Sequence, residues 1–295
     1  MNKIVIGSRG SDLALWQANF VKEELEKVGH PTEIKIISTQ GDRIQHLSFD
    51  KMEGKGFFTK EIEAALLDKS IDLAVHSHKD LETTSPKGLI IAAVSSREDP
   101  SELILMRKEA VDTSQPLGLK KNPVVGTSSA RRKSQLLHFR DDLEIKDLRG
   151  NVPTRINKLR EGNYDAIILA MAGVKRLELD LSDLHVSTLD PTVFIPAPAQ
   201  GVLGLQIREE DTELEKVLEQ LNDTIIQKRI GIERRVLKLL NGGCQLPLGV
   251  YCPNDEEVHV AFAKDWKEGA TFKTYKANQS EDIASYIVDE LNSLQ

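Results

Sequence analysis

Short apolar runs alternate with amphipathic segments along most of the chain, the pattern of parallel strands joined by crossover helices. Lys3 to Gly7 reads as a strand, after which Leu13, Trp16, Phe20, Val21, Leu25 and Val28 recur on one helical face until Gly29 stops it. Glu33 to Ser38 is the next strand. Phe58, Ile62, Ala65 and Leu66 mark a helix leading into a strand at Ile71 to His76. Between them, Thr39 to Phe57 is polar, contains glycine and lacks periodicity, and a loop of that length in a compact domain is a functional lid or a disordered segment. A second set follows Arg97-Glu98-Asp99-Pro100: strand Val124-Val125, a helix from Ser129, strand Leu143 to Leu148, a helix from Pro153 and strand Ala166 to Leu169. Val193 to Ile195 and Leu203 to Ile207 add strands around Pro196-Ala197-Pro198.

The end of the chain has a different rhythm. Leu214, Val217, Leu218 and Leu221, then Ile226, Ile230 and Val236 to Leu240, predict two helices. Leu248 to Cys252, Val258 to Ala263 and Thr271 to Tyr275 alternate as antiparallel strands do, and Ile283, Ile287, Leu291 and Leu294 close the chain as a helix. The expectation is two similar α/β halves, hinged around a cleft by crossing segments near 97–101 and 195–200, plus a small α+β domain. There is no internal repeat and no low-complexity tract.

Composition narrows the class without changing that picture. The chain has 295 residues, 40% hydrophobic and 29% charged, which excludes collagen-like, disulfide-scaffold and wholly disordered readings. No apolar run approaches the roughly 20 residues of a membrane span, and Met1-Asn2-Lys3 leads into strand-like Ile4 to Ile6 rather than a signal-peptide core, so a cytoplasmic protein is expected. Lys+Arg 39 against Asp+Glu 46 gives a net charge of -7. An acidic surface lacks the broad attraction that non-specific binding to nucleic acid or an anionic membrane requires, so any anion must be held by a local basic cluster. The two cysteines, Cys244 and Cys252, are expected to be free thiols in a reducing compartment.

Three strand-to-helix turns carry arginine at the positive end of a helix dipole, where a cation is disfavoured: Gly7-Ser8-Arg9-Gly10-Ser11, Gly126-Thr127-Ser128-Ser129-Ala130-Arg131-Arg132 and Leu148-Arg149-Gly150-Asn151-Val152-Pro153-Thr154-Arg155. Two guanidinium groups about 6 Å apart repel by roughly 3 kcal/mol at an effective dielectric near 20, and a bound anion reverses that sign. In a doubly wound sheet such turns gather at the carboxyl ends of the strands, with serine hydroxyls and backbone N–H groups as further anion donors. Carboxylates match the arginine fork. The plain alternative is that each arginine pairs with a nearby aspartate on the surface.

A fourth turn, Val75-His76-Ser77-His78-Lys79-Asp80, places an acid beside a base after a strand. Asp80 either caps a helix or pairs with Lys79, or, kept ionised by the arginines, it steadies a cationic intermediate and passes protons between nitrogens. His76 and His78 share a face of an extended chain, but no other Cys/His ligands stand at metal-site spacing, so no metal is expected. Gly54-Lys55-Gly56 lacks Walker-loop spacing; Lys55 is a lid cation over an anionic ligand or a solvated lysine. Cys244, in Asn241-Gly242-Gly243-Cys244-Gln245-Leu246-Pro247, is either structural or a thiol presented by a tight turn, whereas Cys252 falls on a strand as an apolar residue.

Taken together, Leu13-Ala14-Leu15-Trp16-Gln17, Gly54-Lys55-Gly56, Ala74 to Asp80, Gly126 to Arg132, Leu148 to Arg155 and Gly242-Gly243-Cys244-Gln245 resemble the porphobilinogen deaminase family, in its order and spacing, from Ile6 to about Gly249. The resemblance implies a transferase of porphyrin and haem (tetrapyrrole) biosynthesis. Four porphobilinogen molecules would be joined head to tail with loss of ammonia, and water would release hydroxymethylbilane. It implies a dipyrromethane cofactor joined by a thioether to Cys244, with Lys79, Ser77, Thr127, Ser128, Ser129, Arg131, Arg132, Arg155 and Gly173 around it. Asp80 would be catalytic, and Arg9, Ser11, Gln17, Lys55, Arg149, Arg155 and Gln200 would bind substrate. The fold implied is α/β: two hinged doubly wound domains resembling periplasmic-binding-protein halves, plus a small α+β domain. Residues 1–98 and 198–216, 99–197 and 217–295 form the three, in a chain expected to act as a monomer. His78 stands where the family usually has an apolar residue, Leu81-Glu82 replaces leucine-proline, and Ala199 replaces glycine. The competing class is a non-enzymatic hinged anion-binding module, which gives Cys244 no role; a metal hydrolase using His76 and His78 lacks ligands.

Overall fold

The computed structural model of the chain describes residues 3–43, 59–243 and 245–293. In chain order its elements begin with β1 (Ile4–Ser8), α1 (Asp12–Lys27), β2 (Thr32–Ile36), α2 (Gln40–Arg43), α3 (Lys60–Leu67), β3 (Leu73–Ser77), β4 (Leu89–Val94) and β5 (Glu102–Met106). Then come β6 (Val124–Gly126), α4 (Ala130–Phe139), β7 (Glu144–Lys146), α5 (Val152–Arg160), β8 (Ala166–Ala170), α6 (Met171–Arg176), β9 (His185–Leu189) and β10 (Leu203–Arg208). The remainder is α7 (Thr212–Glu219), α8 (Thr224–Leu239), β11 (Leu248–Tyr251), β12 (Glu257–Phe262), β13 (Thr271–Lys276) and α9 (Ile283–Ser293).

Contacts divide the chain into two compact units. The described residues of the first are 3–43, 59–98 and 200–228, and those of the second are 99–199, 229–243 and 245–293.

The first unit holds a sheet in the order β2-β1-β3-β10-β4, in which β1 runs parallel to β2 and β3, while β10 runs antiparallel to β3 and β4. One face buries Ile4, Ile6, Leu73, Val75, Leu205 and Ile207 against Ala18, Val21 and Leu25 of α1 and Leu214 and Leu218 of α7. The other face packs on Ile62, Ala65 and Leu66 of α3. Helix α1 starts where Ser11 Oγ accepts the Ala14 N–H. Its inward face is centred on Gln17, Ala18, Val21 and Leu25. Trp16 and Phe20 stack at its margin and Val28 is exposed, so the apolar stripe read from the sequence is rotated outward from the one the fold buries.

The second unit repeats the plan as β7-β6-β8-β5-β9, with β6 parallel to β7 and β8, and β5 antiparallel to β8 and β9. Strand β5 is buried on both faces: Leu103 and Leu105 lie in the α5 core with Ile156, Leu159 and Ile167, and Ile104 and Met106 lie in the α4 core with Leu136, Ile168 and Phe194. Period 2 puts Glu102 on the α4 side. The antiparallel sheet β11-β12-β13 belongs to the same compact unit and buries Val250, Cys252, Val258 and Val260 against Val236, Ile287 and Leu291. It reaches α4 through the Ala270 N–H on Ser134 O (2.9 Å) and through Lys133 Nζ, 4.8 Å from the Trp266 ring centre.

Both five-stranded sheets are mixed rather than all parallel. Strands β4, β5 and β9 and helix α6 were not anticipated from the sequence. Val193 to Ile195 is a turn, not a strand. Asp190 closes it by accepting the Thr192 N–H on Oδ1 (2.8 Å) and the Phe194 N–H on its carbonyl (2.8 Å), which turns Phe194 and Ile195 into core plugs, each 1% exposed.

Two left-handed residues lie close together where the chain returns to the first unit. Ala199 has φ +61 and its N–H donates to Glu233 Oε2 (2.7 Å), a fully buried carboxylate whose Oε1 accepts the Cys252 N–H (2.8 Å). Gly201 has φ +90, and a Cβ there would lie 2.2 Å from the Glu98 carbonyl oxygen. Only glycine fits that approach. Gly201→Ala is therefore expected to cost about 2 kcal/mol or more in urea unfolding, whereas Ala199→Gly, relieving the αL penalty at the cost of chain entropy, should shift stability by less than about 1 kcal/mol. Equal effects of the two substitutions would contradict the steric assignment.

Candidate active site

In the first unit, β1 and β3 are adjacent and parallel, so the residues after each emerge at the same sheet edge. Arg9, half-buried, follows β1, and Ser11 is occupied in capping α1. Ser77 ends β3, and its Oγ accepts from Nε2 of the buried Gln17 at 2.8 Å, fastening α1 to the strand end. A 3₁₀ turn, His78–Asp80, comes next. The His78 N–H donates to Val202 O (2.9 Å), the Leu81 N–H donates to His78 O (3.2 Å), and Leu81 is buried. The turn is held from inside while Asp80 itself is exposed.

Lys79 Nζ donates to Oε1 of the fully buried Gln200 (3.2 Å), whose carbonyl accepts from Arg97 Nε (2.9 Å). Asp80 is the last residue of the three-residue His78–Asp80 turn. His78, the residue unusual for the resemblance, is buried against β10, where a Cβ on Gly204 would lie 3.3 Å from its ring. The glycine makes room for the imidazole. Glu82 follows the anchored Leu81.

In the second unit the ends of β6, β7 and β8 share one edge for the same reason. Ser128 Oγ donates to Leu148 O (3.1 Å) and accepts the Leu148 N–H (3.0 Å), lacing the β6 and β7 turns together. Thr127 Oγ1 accepts the Ser129 N–H (3.2 Å), and Ser129 caps α4. Asn151 caps α5, Arg155 Nε donates to Gly150 O (2.7 Å) and Lys158 Nζ to Arg149 O (2.9 Å). The hydroxyls thus shape the turns, and the half-buried Arg149 and Arg155 stand on them. Gly173 is buried in α6 immediately after β8, in the helix that ends with the buried Arg176.

Arg131 and Arg132 are both buried on one carboxylate that sequence reasoning missed. Glu102 Oε1 accepts from Arg131 Nη2 (2.5 Å) and Arg132 Nε (3.1 Å), and Oε2 accepts from Arg132 Nη2 (2.7 Å). Burial weighs against the Arg131 charge and Glu102 opposes that effect. The sequence signal was a lone acid at the head of the apolar run Leu103 to Met106. Lys55 and Cys244 lie outside the described residues, whereas Cys252 is 2% exposed in the core of the antiparallel sheet. Among the described residues no group of three or more His, Cys, Asp and Glu is placed to hold a metal ion, and no helix is long and apolar enough to cross a membrane. A cavity of about 390 Å³ lies among Leu239, Leu240, Leu246, Phe262 and Lys264 and includes none of the predicted cations.

Residues 4–216 match the family described as porphobilinogen deaminase, dipyromethane cofactor binding domain. A porphobilinogen deaminase of Oceanobacillus iheyensis is 45% identical over 99% of this chain and 95% of its own length. Those of Maridesulfovibrio salexigens (42%, 96% and 91%) and Clostridium novyi (44%, 85% and 83%) are similarly close.

His76 lies beneath the first cluster with a proton state set by its surroundings. Gln206 Nε2 donates to Glu63 Oε1 (3.2 Å), which turns the Gln206 Oε1 toward His76 Nε2 at 3.1 Å. An amide oxygen only accepts, so the ring carries its hydrogen on Nε2. Burial pushes the His76 pKa from 6.5 to about 4, with Gln206 opposing the shift and Arg9 adding to it. Unfolded, the ring takes a proton near pH 6.5; the stability gained by keeping it neutral is complete above that pH and is lost as pH falls toward 4, about 3 kcal/mol in all. Unfolding measured between pH 7 and 4.5 should therefore fall less steeply with pH in His76→Asn than in the parent, and the His76 ring resonances should stay neutral to about pH 4. A ring midpoint near 6.5 would show the imidazole to be solvated.

Proposed function

The chain belongs to the porphobilinogen deaminase family, and we infer from that membership that it joins four porphobilinogen molecules head to tail and releases hydroxymethylbilane. Each joining forms a carbon–carbon bond between the methylene carbon of one porphobilinogen and a pyrrole α-carbon, and expels ammonia. One water completes the product. An anion-binding module without catalysis is set aside by the same membership, and the enzyme is a transferase of porphyrin and tetrapyrrole biosynthesis.

The matched domain is the cofactor-binding one, so the cofactor is dipyrromethane. The second unit's donor set suits it: Arg149 and Arg155 on turns laced by Ser128 and capped by Ser129 and Asn151 provide guanidinium and N–H donors for acetate and propionate groups. When bound, the group supplies a pyrrole α-carbon nucleophile held by the protein. We propose Cys244 as its attachment, supported by the enclosure of the other thiol, Cys252, in the apolar core. Thr127, Ser129 and the α6 glycine, Gly173, belong to the same proposal as elements that shape the turns around it.

Asp80 is the proposed catalytic residue. The observation that carries this is its exposure on a turn whose flanks, His78 and Leu81, are both buried. A carboxylate fixed in place yet open to a ligand can hold a proton at the departing amine and then steady the cationic pyrrole that remains. Lys79, oriented by Gln200, and Arg9, Ser77 and Gln17 at the same sheet edge would hold substrate carboxylates and orient the ring. Ser11 would act through the α1 cap, and Lys55 as a further cation. Cytoplasmic residence and action as a monomer complete the proposal.

Intact mass spectrometry is expected to show an adduct the size of two linked pyrroles, retained in Cys252→Ser and absent in Cys244→Ser; an unmodified yet active protein would reject the attachment. Asp80→Asn should leave the unfolding midpoint unchanged and lower kcat by a factor on the order of 10² to 10⁴. Near-parental turnover in that variant would remove Asp80 from its role.

A further inference from the structure

We propose that Glu102 is a positioning residue that sets the charge of the anion seat at the start of α4, turning two guanidinium groups into a receptor for one carboxylate at a time. The inference rests on the reading of Arg131 and Arg132 as carboxylate-binding residues and deepens it.

The geometry is specific. Arg132 meets the carboxylate side-on with Nε and Nη2, the two-point fork that fixes the plane of both groups, and its Nη1 donates to Ile168 O at 3.1 Å. Arg131 shares Oε1 through Nη2, and its Nη1 donates to Ile195 O at 2.9 Å. Each guanidinium is thereby fixed at two places, one on the acid and one on backbone. The side chains are 6% and 8% exposed and the acid 0%, so none of the three is positioned by solvent.

Charge follows from the count. Counted over these three side chains, two arginines and one glutamate leave a single positive charge at a helix N-terminus, where the dipole adds to it. Without the acid the same place would hold two like charges at close range in a low-dielectric setting, which favours dianions and very tight retention. With it, the seat matches a monoanion in charge. A ligand whose acetate and propionate arms each carry one charge is recognised arm by arm, while phosphate- or sulfate-like dianions gain no second cation. Glu102 thus acts through the arginines and touches no ligand itself.

The test uses full-length chain carrying Cys244→Ser, so that the seat is open to small probes, with acetate and sodium sulfate titrated by calorimetry. Glu102→Gln is expected to tighten sulfate on the order of tenfold or more relative to acetate. Glu102→Asp keeps the charge and so the sulfate-to-acetate ratio, but draws the carboxylate back and weakens acetate severalfold. In chain that retains Cys244, Glu102→Asp should also lower the fraction carrying the two-pyrrole mass. An unchanged sulfate-to-acetate ratio in folded Glu102→Gln overturns the proposal. If Glu102→Gln does not fold, Glu102→Asp decides it: parental acetate affinity and a parental adduct fraction overturn it, and losses of both support it. These readouts need no turnover, so wild-type protein that fails to consume porphobilinogen would count against the enzymatic reading alone.

Discussion

Parallel pairing is the constraint on which the candidate site depends. Two strands that run the same way end at the same edge, so whatever follows each of them is brought out together. β1 with β3 delivers Arg9 beside the Ser77–Asp80 turn, and β6 with β7 and β8 delivers Thr127 to Ser129, Arg149 and the α6 glycine. Hydrogen bonds then fix the turns against one another, Gln17 to Ser77 in one unit and Ser128 to Leu148 in the other. The antiparallel strands β10 and β5 leave those edges undisturbed, since each lies on the far side of β3 or β8.

Electrostatics works locally against the global sign. A chain of net charge -7 holds cations in place by assigning each a defined partner: Gln200 for Lys79, Gly150 O for Arg155, and Glu102 for the Arg131 and Arg132 pair. Elsewhere the same device is purely architectural. Arg208 donates to Leu66 O and Ile71 O and pairs with Asp72 and Asp211, and Arg140 binds Leu119 O, Lys120 O and Asp142, whose pKa is pulled down to about 2 chiefly by that arginine. An arginine in a turn is therefore not by itself a ligand-binding residue.

Much of this was legible in the sequence because local chemistry dictated it. Ser11, Ser129 and Asn151 announce helix starts through their capping oxygens, and β1, β3, β6 and β8 follow from short apolar runs before them. Other parts depended on distant residues. β4 and β5 are apolar on both faces, so no period marks them, and β9 is an edge strand with little burial to pattern it. Val193 to Ile195 has strand-like side chains but is bent by Asp190. Glu102 is 29 residues from its nearer arginine, a pairing that no spacing rule on one sequence reveals. The direction of β10 and β5 is equally silent, since a strand buried on both faces reads alike either way.

The place of β10 bears on how the protein is made. It lies between β3 and β4, so the first sheet lacks an interior strand until residue 208 has been synthesised, and the edges of β3 and β4 stay unpaired during that interval. The second sheet draws on residues 102 to 189 alone and has every strand in hand earlier. On the ribosome, the five-stranded sheet whose strands begin first is thus the later of the two to close, and its nascent strands need shielding from other chains.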